Sequence, residues 1–286
     1  YITPEKPLLI DQYLSHATEL DVDAVSDGKE VLVGAIMEHL EEAGIHSGDS
    51  TCFIPTQNIS KEILKMVEEQ TKIIGIGLNI VGCFNIQFAI QDKELYVLEV
   101  NPRSSRTVPF VAKATGIPLA KISAKTTLGV EISEQLIPEP TKGHVCVKAP
   151  VFPFIKLVGL DPAPGPEMKS TGEVMGLAKD FGIAYAKSEL AAGNGVPSEG
   201  VAFLSTNDLD KKNLEEIARE LLTLGFKLIA TKGTAAYLVD LGIQVEEVLK
   251  VHEGRPNIED LIRSGLVQLI INTPIGSQAL HDDAYL

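Results

Sequence analysis

Leu95-Tyr96-Val97-Leu98-Glu99-Val100-Asn101-Pro102-Arg103, with Arg106 three residues further on, decides how the first part of this chain is read. Its apolar start reads as a buried strand. That strand ends in a carboxylate, a carboxamide and two guanidiniums. On an extended chain Glu99 and Asn101 point to the same face, as two ligands of one hard cation must. Mg²⁺ prefers such oxygens and usually shares them with substrate phosphates. Arg103 and Arg106 add planar donors suited to phosphate oxygens. The pattern is that of Mg-nucleotide chemistry. A strand end closed by a solvated salt bridge satisfies the same spacing equally well.

Working outward, Cys83 to Ile90 and Leu95 to Val100 flank Gln91-Asp92-Lys93-Glu94, a hairpin signal. The hairpin brings Gln87 near Glu99 and Asn101, as a metal-bound or supporting amide. Alternatively, Gln87 is a polar outward residue of an antiparallel strand. Leu8 to Tyr13 reads as a strand, and Leu20 to Val25 alternates apolar and acidic residues as a half-buried strand does. Asp27-Gly28 is a turn from which Val31 to Met37 returns. Ser60 caps a helix running to Gly75; Val108 to Thr115 and Pro118 to Leu128 are helical. Pro138 to Pro166 reads as a connecting region of prolines and short strands. Glu173 to Glu189 reads as mostly helical, with Ser170-Thr171-Gly172 as its cap.

Ala191 to Pro197 is the clearest boundary, small residues between two periodic segments. It divides the chain into domains 1–193 and 194–286. Beyond it, strands at Val201 to Ser205, Phe226 to Ala230, Val245 to Val251 and Leu266 to Asn272 alternate with helices at Leu209 to Leu224, Thr234 to Gly242 and Ile258 to Ser264. Such alternation implies a doubly wound parallel sheet. Sheets of this kind bind ligands at the carboxyl ends of their strands. Thr231-Lys232-Gly233-Thr234 falls at one such end, as a phosphate cradle or as an ordinary strand-to-helix turn. Lys250 and Asn272 fall at two others.

The 286 residues are 44% hydrophobic and 22% charged, normal for a globular protein with a core. A net charge of −14 argues against nucleic acid as a partner. No apolar run is long enough to span a membrane, and the sequence reads as having no signal peptide. Cys52, Cys83 and Cys146 have no metal spacing, and any disulfide would leave one over, which points to the cytoplasm. A start at Tyr1, without Met, is the pattern of a fragment.

The segments FNIQFAI (84–90) and LYVLEVNPRSSRTVPFVAKATG (95–116) resemble the metal and phosphate core of an ATP-grasp ligase. EHLEEAGIHSGDS (38–50) and STGEVMG (170–176) narrow the resemblance, over essentially the whole chain, to the C-terminal portion of the carbamoyl-phosphate synthase large chain. The resemblance implies an α/β molecule: an ATP-grasp C-terminal lobe with an antiparallel sheet, then a methylglyoxal-synthase-like domain. It implies Mg-ATP-dependent phosphorylation of carbamate to carbamoyl phosphate, for pyrimidine and arginine synthesis. It implies Gln87, Glu99 and Asn101 as ligands of Mg²⁺ or Mn²⁺, and Arg103 and Arg106 on phosphate or carbamate. Asp11 to Leu14 would meet adenine, Glu19 the ribose hydroxyls, His46 and Ser47 the nucleotide, and His39 a K⁺ ion. His16 keeps no role. Ser170 to Glu173 belongs to the stretch that closes the ATP-grasp region, without a catalytic part.

In the last domain Lys211, Thr231, Thr234, Lys250 and Asn272 match effector-contacting positions for UMP or another nucleotide monophosphate. A glutaminase small chain is the implied partner. The chain departs from the family at Pro274, where a hydroxyl is lost, and at Ala149, which replaces a carboxylate beside Glu41 and Asp49 in the ornithine pocket. Ornithine control is therefore not expected; apart from that pocket, Glu41 reads as a solvated helix residue. Because the other ATP-grasp lobe would lie before Tyr1, the fragment is expected to be inactive alone. Two other readings are an isolated nucleotide-responsive regulatory unit and another ATP-grasp ligase such as a carboxylase subunit. The latter leaves Thr231 to Thr234 and Lys250 unexplained.

Overall fold

Strand β1, Thr18–Asp27, is an interior strand of the first part of the molecule, and its alternation sets the architecture. A computed structural model describes residues 17–153 and 165–274, together with Gln12 and Leu14. The strand expected over 8–13 falls almost wholly outside the described residues, as do Asp11 and His16. The chain divides into two compact units, Tyr1–Gly195 and Val196–Leu286.

In the first unit β1 is followed by β2 (Val31–Glu42), β3 (Cys52–Ile54), helix α1 (Lys61–Gly77), β4 (Val81–Gln91), β5 (Glu94–Asn101), α2 (Val108–Thr115), α3 (Leu119–Thr127), β6 (Val145–Val151), β7 (Gly172–Ala178) and α4 (Phe181–Ala192). The strands form one antiparallel sheet of seven, in the order β5-β4-β1-β2-β3-β6-β7. The even positions of β1 (Leu20, Val22, Ala24) pack with Phe84, Ile86 and Phe88 of β4 beneath Val67 of α1. The Leu, Val, Ile and Phe side chains among them each stabilise by roughly 1.5–3 kcal/mol when fully buried. Val25, Met37, Cys52 and Cys83 form a core with Phe110 and Val111 of α2 and Leu119 and Ile122 of α3.

Four local readings need correction. The run Leu95 to Val100 is the edge strand, not a buried one: Tyr96, Val97 and Leu98 are exposed because only β4 pairs with β5. Strand β1 is buried on both faces rather than half-buried, and its acidic residues Glu19, Asp21 and Asp23 are within 2% of full burial. Residues 173–178 are strand, and the helix starts later, capped by Asp180, whose side chain accepts from the Ile183 N–H. Ser170 therefore caps no helix. Glu41 lies on a strand, not on a solvated helix, and its Oε2 accepts the Thr51 N–H at 2.7 Å. The region 138–166 also holds a full sheet strand, β6, paired to β3 and β7.

The second unit holds β8 (Val201–Thr206), α5 (Lys211–Thr223), β9 (Lys227–Thr231), α6 (Lys232–Asp240), β10 (Glu246–Val248), α7 (Ile258–Arg263) and β11 (Leu269–Thr273). Gly225, just past α5, has φ 95°, a left-handed end that favours glycine. The sheet is parallel, ordered β10-β9-β8-β11. Chain order runs outward from β8 and then crosses to its other side, so the direction of winding switches between β8 and β11. All four carboxyl ends lie along one edge.

Candidate functional site

Strand register builds the first site. Asp21 on β1 faces Gln87 on β4, which faces Glu99 on β5. One step along the same face, Asp23 faces Asn85, which faces Asn101. Six polar side chains thus stand as two rows of three across neighbouring strands. Period-two alternation keeps all six on one face of the sheet.

A cavity of about 90 Å³ opens over this array. Asp21, Asn85, Gln87, Glu99 and Asn101 line it, with His46, Ser47, Arg103 and Arg106. The Asn101 amide donates to Glu99 Oε1. Its oxygen accepts from Arg103 Nη2 at 3.1 Å. Gln87 Nε2 donates to Ser47 Oγ at 2.8 Å, which leaves the Gln87 amide oxygen as its metal-competent atom.

The turn 46–50 forms one wall. His46 Nδ1 accepts the Gly48 N–H at 3.0 Å, and the Asp49 N–H bonds the His46 carbonyl at 2.7 Å. Side chains close in on Gly48. An added Cβ would meet Met168 Sδ at 2.9 Å, His46 Nδ1 at 3.1 Å and Arg106 Nη1 at 3.2 Å. Fully buried Lys148 reaches under this turn and donates to the Ser47 carbonyl at 3.1 Å. Arg106 Nη1 reaches Met168 Sδ and Ser170 Oγ. Glu173 also lines the cavity; burial pushes its carboxyl up, against the Lys148 and Arg106 charges.

Beneath the cavity is a buried acidic floor. The Asn85 amide donates to Asp21 Oδ1 and, at 3.0 Å, to Asp23 Oδ1. Ser105 Oγ and Thr107 Oγ1 each donate to Asp23 at 2.6 Å. Burial pushes the Asp23 carboxyl up to about 6, and the adjacent Asp21 carboxylate adds to the rise against those three hydrogen bonds. Further along β1, Glu19 is buried and raised by burial. His39 lies 3.8 Å from Glu19 Oε1 and 3.9 Å from Asp21 Oδ2, and neither ring nitrogen has a hydrogen-bond partner. Leu14 is half-buried, and Asp11 lies outside the described residues.

The donor set suits a divalent cation with phosphate. One carboxylate and two amide oxygens are hard ligands, and two guanidiniums stand beside them. Among the described residues no group of three or more His, Cys, Asp and Glu side chains forms a metal cluster. The fit therefore rests on the amide oxygens and on ligands that a nucleotide itself brings.

In the second unit, the Thr231 and Thr234 hydroxyls lie 3.4 Å apart at the β9–α6 turn. Both residues are buried, and Thr234 Oγ1 accepts the Thr206 N–H at 3.1 Å, tying the end of β8 to α6. Lys211 Nζ pairs with Asp208 and lies 6.0 Å from the Tyr237 ring centre. The same nitrogen is 3.9 Å from where a Gly233 Cβ would stand, so it overhangs the turn. Val248 pairs with Thr231, which sets Lys250 two residues past the adjacent strand end. Asn272 is level with Ser205 on the far side. Asn207, between them, donates its amide to Thr273 Oγ1 at 3.0 Å.

A family profile described as carbamoyl-phosphate synthase L chain, ATP binding domain, matches residues 3–135, and one described as MGS-like domain matches 213–286. Curated relatives are named carbamoyl phosphate synthase large chain. One from Archaeoglobus fulgidus is 53% identical over 97% of this chain and 26% of the relative. The Aquifex aeolicus C-terminal section is 48% identical over 100% of this chain and 56% of its own length. One from Methanosarcina barkeri is 51% identical over 98% of this chain and 71% of its own length. The chain belongs to the carbamoyl phosphate synthase large-chain family. It spans about a quarter of the length of the Archaeoglobus fulgidus relative and of several others with the same name.

The fold is accordingly that of an ATP-grasp lobe joined to a methylglyoxal-synthase-like unit. For a synthase lobe, sequence reasoning missed Asp21, Asp23, Asn85, Ser105, Thr107 and Lys148. The i, i+2 spacing of Glu19, Asp21 and Asp23, echoed by Asn85 and Gln87, carried a signal for one polar face. Nothing local marks Lys148. In the second unit Thr206 and Asn207 were missed, although they end a strand.

Proposed function

We propose that this chain supplies the metal-bearing lobe of a carbamoyl phosphate synthase site that phosphorylates carbamate. The two polar rows beneath Arg103 and Arg106 are the observation that carries the reading. Bound Mg-ATP or Mn-ATP supplies the transferable γ-phosphoryl group and a cation that spreads its charge. Gln87, Glu99 and Asn101 would hold that cation. Arg103 and Arg106 neutralise phosphate oxygens and orient the carbamate. His46 and Ser47 border the nucleotide, Glu19 takes its ribose, and Asp11 to Leu14 meet adenine. A carbamate oxygen then forms the new P–O bond as the bond to ADP breaks. Protein groups supply positioning and charge rather than covalent help.

The buried Glu19 and Asp21 carboxylates beside His39 support a K⁺ ion near the nucleotide. In the second unit Lys211, Thr231, Thr234, Lys250 and Asn272 receive a nucleotide monophosphate such as UMP. The common edge of the four strand ends supports that placement. Ornithine is not an effector in this reading. Glu41 and Asp49 are each held by backbone donors, and Ala149 is fully buried. The domains divide at 193/194, the product feeds pyrimidine and arginine synthesis, and ammonia comes from a glutaminase small chain. The lobe does not catalyse alone. Free, buried Cys52, Cys83 and Cys146 support a cytoplasmic setting.

Glu99→Gln in the complete enzyme tests this. Loss of a charged ligand lowers carbamoyl phosphate synthesis by about a hundredfold or more. Wild-type synthesis would remove Glu99 from the metal site and the reading with it.

A further inference from the structure

We infer that Asp23 is a positioning residue that holds the arginine loop, through Ser105 and Thr107, in the geometry that phosphoryl transfer needs. The inference rests on the proposed role of Arg103 and Arg106. Those two arginines are exposed and lie between the end of β5 and the start of α2. Exposed loop residues lose conformational freedom when they engage a ligand. A loop fixed beforehand avoids that loss at the reacting centre.

The fixing contacts are specific. Ser105 and Thr107 flank Arg106, and both hydroxyls donate to one carboxylate at 2.6 Å. Their oxygens also lie 2.8 Å apart, so the three groups close a small ring. Thr107 is buried and precedes α2 yet caps none of its N–H groups, so its hydroxyl serves the tether instead. Asp23 is itself held in place. It is fully buried on the interior strand β1, and the Asn85 amide bridges it to Asp21, which lines the cavity. The anchor thus belongs to the rigid sheet that carries Gln87 and Glu99. Arg106 and the metal ligands then share one frame. A fully buried carboxylate is costly to keep. An apolar residue at that position would bind neither hydroxyl and would leave the buried Asn85 and Thr107 donors short of a partner.

The test uses the complete enzyme and the paired substitution Ser105→Ala with Thr107→Val, which leaves Asp23 in place. Carbamoyl phosphate formation should fall about 10–100-fold in kcat, the range for groups that orient active-site partners, with KM for ATP within about threefold. Hydroxyl-retaining Ser105→Thr and Thr107→Ser should each restore most of that rate. In an Arg106→Ala background the paired substitution should cost little more, because the tether acts through Arg106. If the pair lowers thermal stability too far, half-buried Ser105→Ala alone carries the same readouts. Wild-type kcat overturns the inference. So does an equal, additive loss in the Arg106→Ala background, which marks a general structural role. Glu99→Gln run in parallel separates the two levels. If it is inactive while the tether variants are normal, only the tether fails. If it is fully active, the site assignment fails first.

Discussion

Asp49 shows how much one side chain can organise here. Its carboxylate accepts the Lys169 N–H at 2.7 Å and the Ser170 N–H at 2.9 Å. Ser170 Oγ in turn donates to the Gly48 carbonyl at 3.0 Å, and the His46 N–H bonds the Gly165 carbonyl at 2.9 Å. Burial pushes the Asp49 carboxyl up, but the Ser170 and Lys169 bonds outweigh it and hold the group below the ordinary carboxylate range. A depressed folded pKa stabilises the protein above the unfolded pKa, and that stabilisation is lost as pH falls through the folded value. Asp49→Asn should therefore lower stability by about 1–3 kcal/mol at pH 7. Urea melts at pH 7 and near pH 3 check this: the gap to wild type should narrow in acid, and a constant gap would sink the account. Asp23 has the opposite sign. Its carboxyl is raised, so its contribution weakens as pH climbs from the ordinary carboxylate range towards about 6. At this scale the sequence carried Glu99, Asn101, Arg103 and Arg106, because strand alternation and residue chemistry are local. Asp49 was legible only as a carboxylate. Its partners lie 120 and 121 positions away.

Among the elements, β7 and α4 were misread as one helix. Apolar spacing from Glu173 onward fits a helix and a strand alike, and the single Gly176 is compatible with either. Tertiary pairing decides: β7 completes the sheet beside β6, and α4 folds back on both. Gly176 makes that return possible. A Cβ there would stand 1.9 Å from the Ala184 carbonyl oxygen and 2.7 Å from the Ser188 nitrogen, both backbone atoms that cannot swing aside. Gly176→Ala should destabilise by about 1–3 kcal/mol or more through overpacking, visible as a lower melting temperature. Gly77→Ala, at the end of α1 with nothing within 4 Å, is the contrast and should be neutral or stabilising. Equal effects of the two substitutions would refute the packing argument. The edge placement of β5 was equally hidden. A Leu-Tyr-Val-Leu run carries β propensity but no record of which neighbours pair with it.

At the scale of the whole molecule, two units carry two separate phosphate-suited regions on a chain of net charge −14. In each, local groups oppose the global field: Arg103 and Arg106 in the first, Lys211 and the α6 N-terminus in the second. UMP titrated calorimetrically into the complete enzyme should give a saturable heat, and Lys250→Ala should weaken it by about tenfold, as for loss of one charge-assisted contact. Absence of binding by the unaltered enzyme would remove the effector reading and leave the first site untouched. The alternation of strands and helices after Val201, the hairpin at 91–94 and the Glu99–Arg106 cluster were determined by sequence alone, because periodicity and turn chemistry act over a few residues. Tertiary structure alone decided that Glu19, Asp21 and Asp23 are buried, that β5 is an edge, and that Asp23 holds the loop bearing Arg106. Those facts depend on strand register and on contacts between residues some 60 to 120 positions apart. No local pattern encodes such distances.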